Sequence, residues 1–521
     1  MARSTLDLPG QTSQASSGGK TPLEIAVVTT EFAPLARVGG LADVAASLSA
    51  EMARLGASIT VWMPAWRQVW ESGAALRPVA VPRPLVVPLG AESVPVDLLE
   101  VVTPPPGVRI FLIDYPPFFG RSGIYVDPAT GEPWLDHDRR LVLFQRAVLE
   151  AFQRLDLRPD VIHCHDHQTG LIPVYLKVKD GLDPFFAGTG TLMTIHNLGY
   201  QGLFPAEVLE MARLPMDLFY PSGPLEFWGR VNFMKGGILH ADRLTTVSPR
   251  YAEEIQASEE IGFGLEGVLR TRAADLVGIL NGIDAAMWNP ATDPVLAANF
   301  DANDLSGKAA CRDDLVTRLG LTGVTAATPL VAMLSRLVDA KGFDLLVSQF
   351  PAMIEAGWRP VIIGSGPRKN EEAMARLRDR FPGQLHWARS ADDALAHRIE
   401  AGADFYLMPS KYEPCGLNQM ISMRYGALPI VRETGGLIDT VASYDPATGA
   451  GTGFGFRDYT PEGLQAALRL ARQVFDDPAR LTAVRRQAMS MDFSWSRPAR
   501  AYLALAEEIA AKRTPLRRRN S

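Results

Sequence analysis

Pro409-Ser-Lys-Tyr-Glu-Pro-Cys-Gly-Leu-Asn-Gln419 is the stretch on which the fold of this chain turns. It follows an apolar run, Ala403-Asp-Phe-Tyr-Leu-Met408, that reads as a buried strand, and it precedes a segment of helical character from Leu417 to Tyr425. The order is strand, turn, helix. In a parallel α/β sheet such a turn lies at the carboxyl end of the strand, where ligands bind, and the helix N-terminus offers free backbone N–H groups to an anion. Glu413 is expected at the rim of that pocket. Downstream, Tyr425-Gly-Ala-Leu-Pro-Ile-Val431 runs into Thr434-Gly435-Gly436, a second glycine turn that opens a helix and can offer N–H groups to the same anion.

Working outward, the alternation continues in both directions. Pro329–Leu334 reads as a strand, Phe343–Ala356 as a helix and Pro360–Gly364 as a strand. In the first half, Leu23–Thr29 is a β-branched strand, Glu31–Gly40 a loop and Leu41–Leu55 a helix. Ser58–Met63, Val108–Ile113, Asp160–His165, Thr191–Ile195 and Leu276–Leu280 read as further strands. The Pro-rich stretch from Pro78 to Pro106 reads as short strands and turns. Alternating β and α implies two doubly wound parallel sheets. The expected division is residues 1–21 as a Ser/Gly-rich disordered leader, 22–288 as an N-terminal Rossmann-like domain and 289–303 as a linker. Residues 304–494 form a second Rossmann-like domain, 495–512 a final helix crossing back to the first, and 513–521 a basic tail.

With 521 residues, 47% hydrophobic, and a net charge of -6, the chain is globular and long enough for two domains. A mildly acidic balance argues against nucleic acid as a partner. No run of about 18 apolar residues predicts a membrane span. Cys164, Cys311 and Cys415 are too few for a disulfide framework, which points to a reducing cytoplasm. No pattern speaks to oligomeric state.

Several residues carry candidate chemistry. Arg336 and Lys341, after the strand ending at Leu334, can offer a planar fork and a point charge to an anion, or stand in a solvated charged loop. Gly39-Gly40, between strand and helix, lets backbone approach a phosphate, or serves as a plain structural turn. His163, His165 and His167 alternate along a strand and could gather a metal, but the strand must end near Asp166. Cys415 invites a nucleophile reading, set against a packed loop thiol between Pro414 and Gly416.

Glu413-Pro-Cys-Gly-Leu417, Arg424-Tyr-Gly426 and Thr434-Gly-Gly-Leu437 resemble the donor-site signature of bacterial glycogen synthases and plant starch synthases. Arg37-Val-Gly-Gly-Leu-Ala-Asp43, His165-Asp166, Thr194-Ile-His-Asn-Leu198, Leu280-Asn-Gly-Ile-Asp284 and Ser335-Arg-Leu-Val-Asp-Ala-Lys-Gly342 match in the same order. The resemblance implies a GT-B glycosyltransferase that moves glucose from ADP-glucose to the non-reducing end of an α-1,4-glucan such as glycogen, with retention. ADP-glucose is then a substrate, and neither cofactor nor metal is expected. It implies catalytic roles for Glu413, His196, Arg336, Lys341 and Asp43. Donor contacts fall to Arg37, Gly39, Gly40, Asn281, Cys415, Gly416, Leu417, Thr434, Gly435 and Gly436, and acceptor-side places to His165, Asp166 and Tyr125. Two positions depart from the family's pattern, Arg37 for its Lys and His167 for its Trp, while Ile421, where the wider superfamily often has a second glutamate, is as expected of the synthases. A UDP-glucose enzyme, an oligosaccharide-forming enzyme and a catalytically silent glucan-binding paralogue are the rival readings.

Overall fold

The computed structural model describes residues 22–178 and 183–519. The expected leader, residues 1–21, lies outside the described residues. Two sheets organise the rest.

The first is a 10-stranded sheet. Its spatial order is Leu276–Gly278, Arg243–Thr246, Gly190–Ile195, Val161–His165, Glu24–Val28, Ser58–Pro64, Val108–Asp114, Glu92–Val101 and Leu76–Pro78, with Leu85–Leu89 also paired to Glu92–Val101. From Leu276–Gly278 to Val108–Asp114 every pairing is parallel. Val161–His165 and Gly190–Ile195 are buried at every position, as a strand covered on both faces must be. The Pro-rich stretch forms an antiparallel flap, Leu85–Leu89 against Glu92–Val101, whose residues largely alternate between buried and exposed. The first sheet is therefore mixed.

The second sheet is 6-stranded and wholly parallel: His386–Ala388, Arg359–Ile363, Leu330–Leu334, Phe405–Met408, Leu428–Arg432 and Phe454–Phe456. The helix expected over Phe343–Ala356 is broken into Phe343–Val347 and Phe350–Glu355. Pro351 sits in the first turn of the second piece, where its missing N–H does no harm; within a continuous helix it would remove a bond and clash with the preceding turn.

The final helix also differs in extent, running from Ser496 to Arg519 into the stretch expected as a tail. It lies on the first sheet. Ser496 Oγ donates to Glu51 at 3.1 Å, Arg513 pairs with Asp242 at 2.5 Å, and Arg243 pairs with Glu508 at 3.0 Å. Tyr502 is buried and its ring lies 5.4 Å from that of His163.

Candidate active site

Gly342 fixes the centre of the second domain's site. Its φ of +78° is left-handed, and a Cβ there would overlap the Pro409 carbonyl oxygen, so only glycine lets the two turns touch. Lys411 N–H donates to Ala340 O at 3.0 Å and closes the contact. Lys341 is thereby carried to Glu413, with its Nζ 2.7 Å from Oε1 and 2.6 Å from Oε2. Ser410 Oγ donates to Oε2 at 3.0 Å. Glu413 is 5% exposed, and its charge is balanced where it stands. A carboxylate offers about four lone-pair directions, so three bonds leave room for a ligand hydroxyl.

The Thr434-Gly435-Gly436 turn packs on the same loop. A Cβ on Gly435 would meet the Glu413 carbonyl, and one on Gly436 the Cys415 carbonyl. Both N–H groups, expected from the sequence as free anion donors, have protein acceptors here. Gly436 N–H donates to Glu413 O at 3.0 Å, and Gly435 N–H to the Glu254 carboxylate at 3.0 and 3.1 Å. Glu254 belongs to the helix Pro249–Ala257 of the first domain. Thr434 Oγ1 donates to it at 3.3 Å and Arg250 pairs with it at 3.1 Å. No period in the sequence pointed to Glu254, because its partner is on the other domain.

In the first domain, Glu31 organises the glycine loop. Its Oε2 accepts from Val38 N–H at 2.6 Å and Gly39 N–H at 2.8 Å, and its Oε1 accepts from the Tyr125 hydroxyl at 2.8 Å. Burial raises the Glu31 pKa against the lowering effect of those N–H donors. Tyr125 thus braces the loop through Glu31 and Thr30. Gly40 opens the helix Gly40–Arg54, and a Cβ on it would stand 3.4 Å from Leu417 Cδ1 across the cleft. Arg37 pairs with Asp43 at 2.8 Å, and burial raises the Asp43 pKa despite that partner.

Asp166 follows the strand Val161–His165 with φ +55° and ψ −173°, a conformation that strains a non-glycine residue. Its Oδ1 accepts His196 N–H at 2.7 Å, tying the ends of two neighbouring strands together. Burial pushes its carboxyl up to about 7. His165 is 1% exposed and meets His196 rather than solvent, with Nδ1 2.8 Å from His196 Nε2. His167 is buried too, its Nδ1 3.0 Å from Tyr200 O. Among the described residues, no group of three or more His, Cys, Asp or Glu side chains is arranged to hold a metal.

Arg336 crosses the cleft, donating from Nη1 to the Tyr200 hydroxyl at 3.0 Å. Tyr412, inside the opening stretch, feels the charges of both Arg336 and Glu413. Ser248 Oγ donates to Pro414 O at 2.8 Å. Cys415 is a free, buried thiol beside Asn281, and burial pushes it up to about 12, which leaves it mostly protonated and poor as a nucleophile. Gly416 is left-handed at φ +71°, and Leu417 leads into the helix Asn418–Arg424.

Similarity to known proteins follows the same plan. Residues 24–271 match the starch synthase catalytic domain, and residues 323–487 match the glycosyl transferases group 1 family. The glycogen synthase of Koribacter versatilis is 41% identical over 496 residues, covering 95% of this chain and all of that protein. That of Myxococcus xanthus is 43% identical, covering 94% of this chain and all of its own. The chain belongs to the glycogen synthase and starch synthase family. Its fold is GT-B: the catalytic domain of starch synthase IV from Arabidopsis thaliana, solved with ADP and acarbose bound, superposes with a TM-score of 0.85 at 32% identity, covering 94% of this chain and all of that one. Membership in this family makes the chain a glycosyltransferase.

Proposed function

We propose that the protein transfers glucose from ADP-glucose to the non-reducing end of an α-1,4-glucan, with retention of configuration. The observation that carries this reading is Lys341 clasping both oxygens of Glu413 in the second domain, in the loop system that Arg336 spans from above. A departing nucleoside diphosphate gathers negative charge, and preorganised cations stabilise it without reorganisation in the transition state. Lys341 and Arg336 are those cations. Glu413, held against an ammonium, acts as an acceptor for the donor sugar's hydroxyls. One such carboxylate does not supply the acid and nucleophile pair of a retaining glycosidase. The departing phosphate therefore takes the proton of the incoming 4-hydroxyl on the same face of the sugar. His196, at the end of the strand Gly190–Ile195, positions the glucose.

The adenine donor is supported by the ADP held in the Arabidopsis starch synthase. The test is incorporation of labelled glucose into glycogen with ADP-glucose and UDP-glucose in parallel. Incorporation from ADP-glucose, reduced by about 10²–10³-fold in Glu413→Gln, is the expected result. Faster incorporation from UDP-glucose overturns the donor assignment, and glycogen binding without incorporation from either overturns the catalytic one.

A further inference from the structure

Behind the cleft, three imidazoles stand in file. The ring centroids of His163 and His165 are 4.2 Å apart, and those of His165 and His196 are 5.1 Å apart. Burial holds His196 and His163 down to about 3 and His165 well below the usual range, so all three are neutral at ordinary pH. A neutral imidazole has one donor nitrogen and one acceptor, and neighbours decide which is which.

The contact between His165 Nδ1 and His196 Nε2, at 2.8 Å, admits two proton arrangements. If His196 donated from Nε2, His165 would accept at Nδ1 and carry its own proton on Nε2. That Nε2 is buried and has no hydrogen-bond partner among the described residues. A buried N–H without an acceptor is rarer than a buried acceptor without a donor. The favoured arrangement is the reverse, in which His165 Nδ1–H donates and His196 Nε2 accepts. The His196 proton then sits on Nδ1.

The backbone supports this geometry from both sides. His165 is paired in register with Thr194 on the adjacent strand, Thr169 Oγ1 donates to His165 O at 2.9 Å, and Asp166 holds the main-chain N–H of His196. His163 is fixed in turn by Thr194 Oγ1 at 2.6 Å, leaving the file little freedom to rearrange.

We propose that His165 is a positioning residue that fixes His196 as its Nδ1–H tautomer, so that His196 presents a hydrogen-bond donor to a hydroxyl oxygen of the bound sugar. The sugar in this statement rests on the function proposed above; the tautomer does not. His165, placed on the acceptor side by resemblance, acts on the substrate only through its neighbour.

Solid-state ¹⁵N NMR of histidine-labelled protein reads the tautomer directly. The chain has 8 histidines, and the His196 signals are those lost in His196→Gln. The expected spectrum shows His196 protonated at Nδ1 and bare at Nε2. His165→Phe keeps a ring without a donor; it should release His196 to the other tautomer and lower kcat by ~10²-fold with little change in KM for the donor. His165→Asn, whose carboxamide nitrogen reaches the place of Nδ1, should restore the Nδ1–H signal and most of the rate lost in His165→Phe. A wild-type spectrum with His196 protonated at Nε2 overturns the proposal, even if neither variant folds. Equal rate losses in both variants with an unaltered tautomer also overturn it. An Nδ1–H signal in a protein that transfers no glucose defeats the proposed function and leaves the tautomer standing.

Discussion

Asp166 binds its proton far more tightly folded than unfolded. Burial raises its carboxyl to about 7, against an unfolded value of about 4. Between those values the folded chain keeps a proton that the unfolded chain has released, so raising the pH through that window removes stability; above about 7 the loss is complete. Asp166→Asn can still accept His196 N–H but cannot ionise. The stability difference between variant and wild type, from denaturant midpoints on either side of the window, is expected to move in the variant's favour as pH rises. Using the difference cancels the buried histidines, whose lowered pKa values act in the opposite sense. Cys415 gives a second test at this scale. Its thiol is buried and protonated, so Cys415→Ala is expected to retain transfer within a few fold, and the native thiol to resist alkylation. The strand-then-turn pattern placed Glu413, Lys341 and Arg336 in loops at strand ends, where the structure has them, while their roles were implied only by the family resemblance. Glu31 and Glu254 were not legible, because an acidic residue in a loop or on a helix face carries no periodic mark of the backbone it will bind.

Among elements, the glycine turns divide into those the fold needs and those it does not. Gly435 has φ +46° and its Cβ would overlap the Glu413 carbonyl, so Gly435→Ala is expected to cost about 1–3 kcal/mol or more in thermal or chemical unfolding. Gly39 is extended at φ −145°, and a Cβ added to it would meet nothing within 4 Å, so Gly39→Ala should leave stability within about 0.5 kcal/mol. If Gly39 is glycine to admit a ligand, the same change raises KM for ADP-glucose, and unchanged kinetics would sink that role. The strand and helix order was readable because buried parallel strands are short apolar runs set between helices. What the pattern hid was geometric: Pro351 splitting one helix, an antiparallel flap joined to a parallel sheet, and N–H groups of the Thr434–Gly436 turn already committed to protein acceptors.

For the whole molecule, the two domains meet through polar contacts that the cleft itself supplies: Arg336 to Tyr200, Ser248 to Pro414, and Glu254 to Gly435. Glu254 is 9% exposed, so its truncation leaves the Gly435 N–H without its acceptor and Arg250 with Glu253 as its remaining carboxylate partner. Glu254→Ala is expected to open the cleft, read as a larger radius of gyration by small-angle scattering; an unchanged radius would show that the remaining contacts hold the domains closed. The crossing of the last helix has a different consequence. Ser496 bonds to Glu51, 445 positions earlier, and Tyr502 covers the file of imidazoles from behind. During synthesis the first sheet emerges long before the helix that finishes its back, and waits through the making of an entire second domain. The wall behind His163 is completed only once Tyr502 has been made, so a chain cut short ahead of Ser496 has its first domain open at the rear.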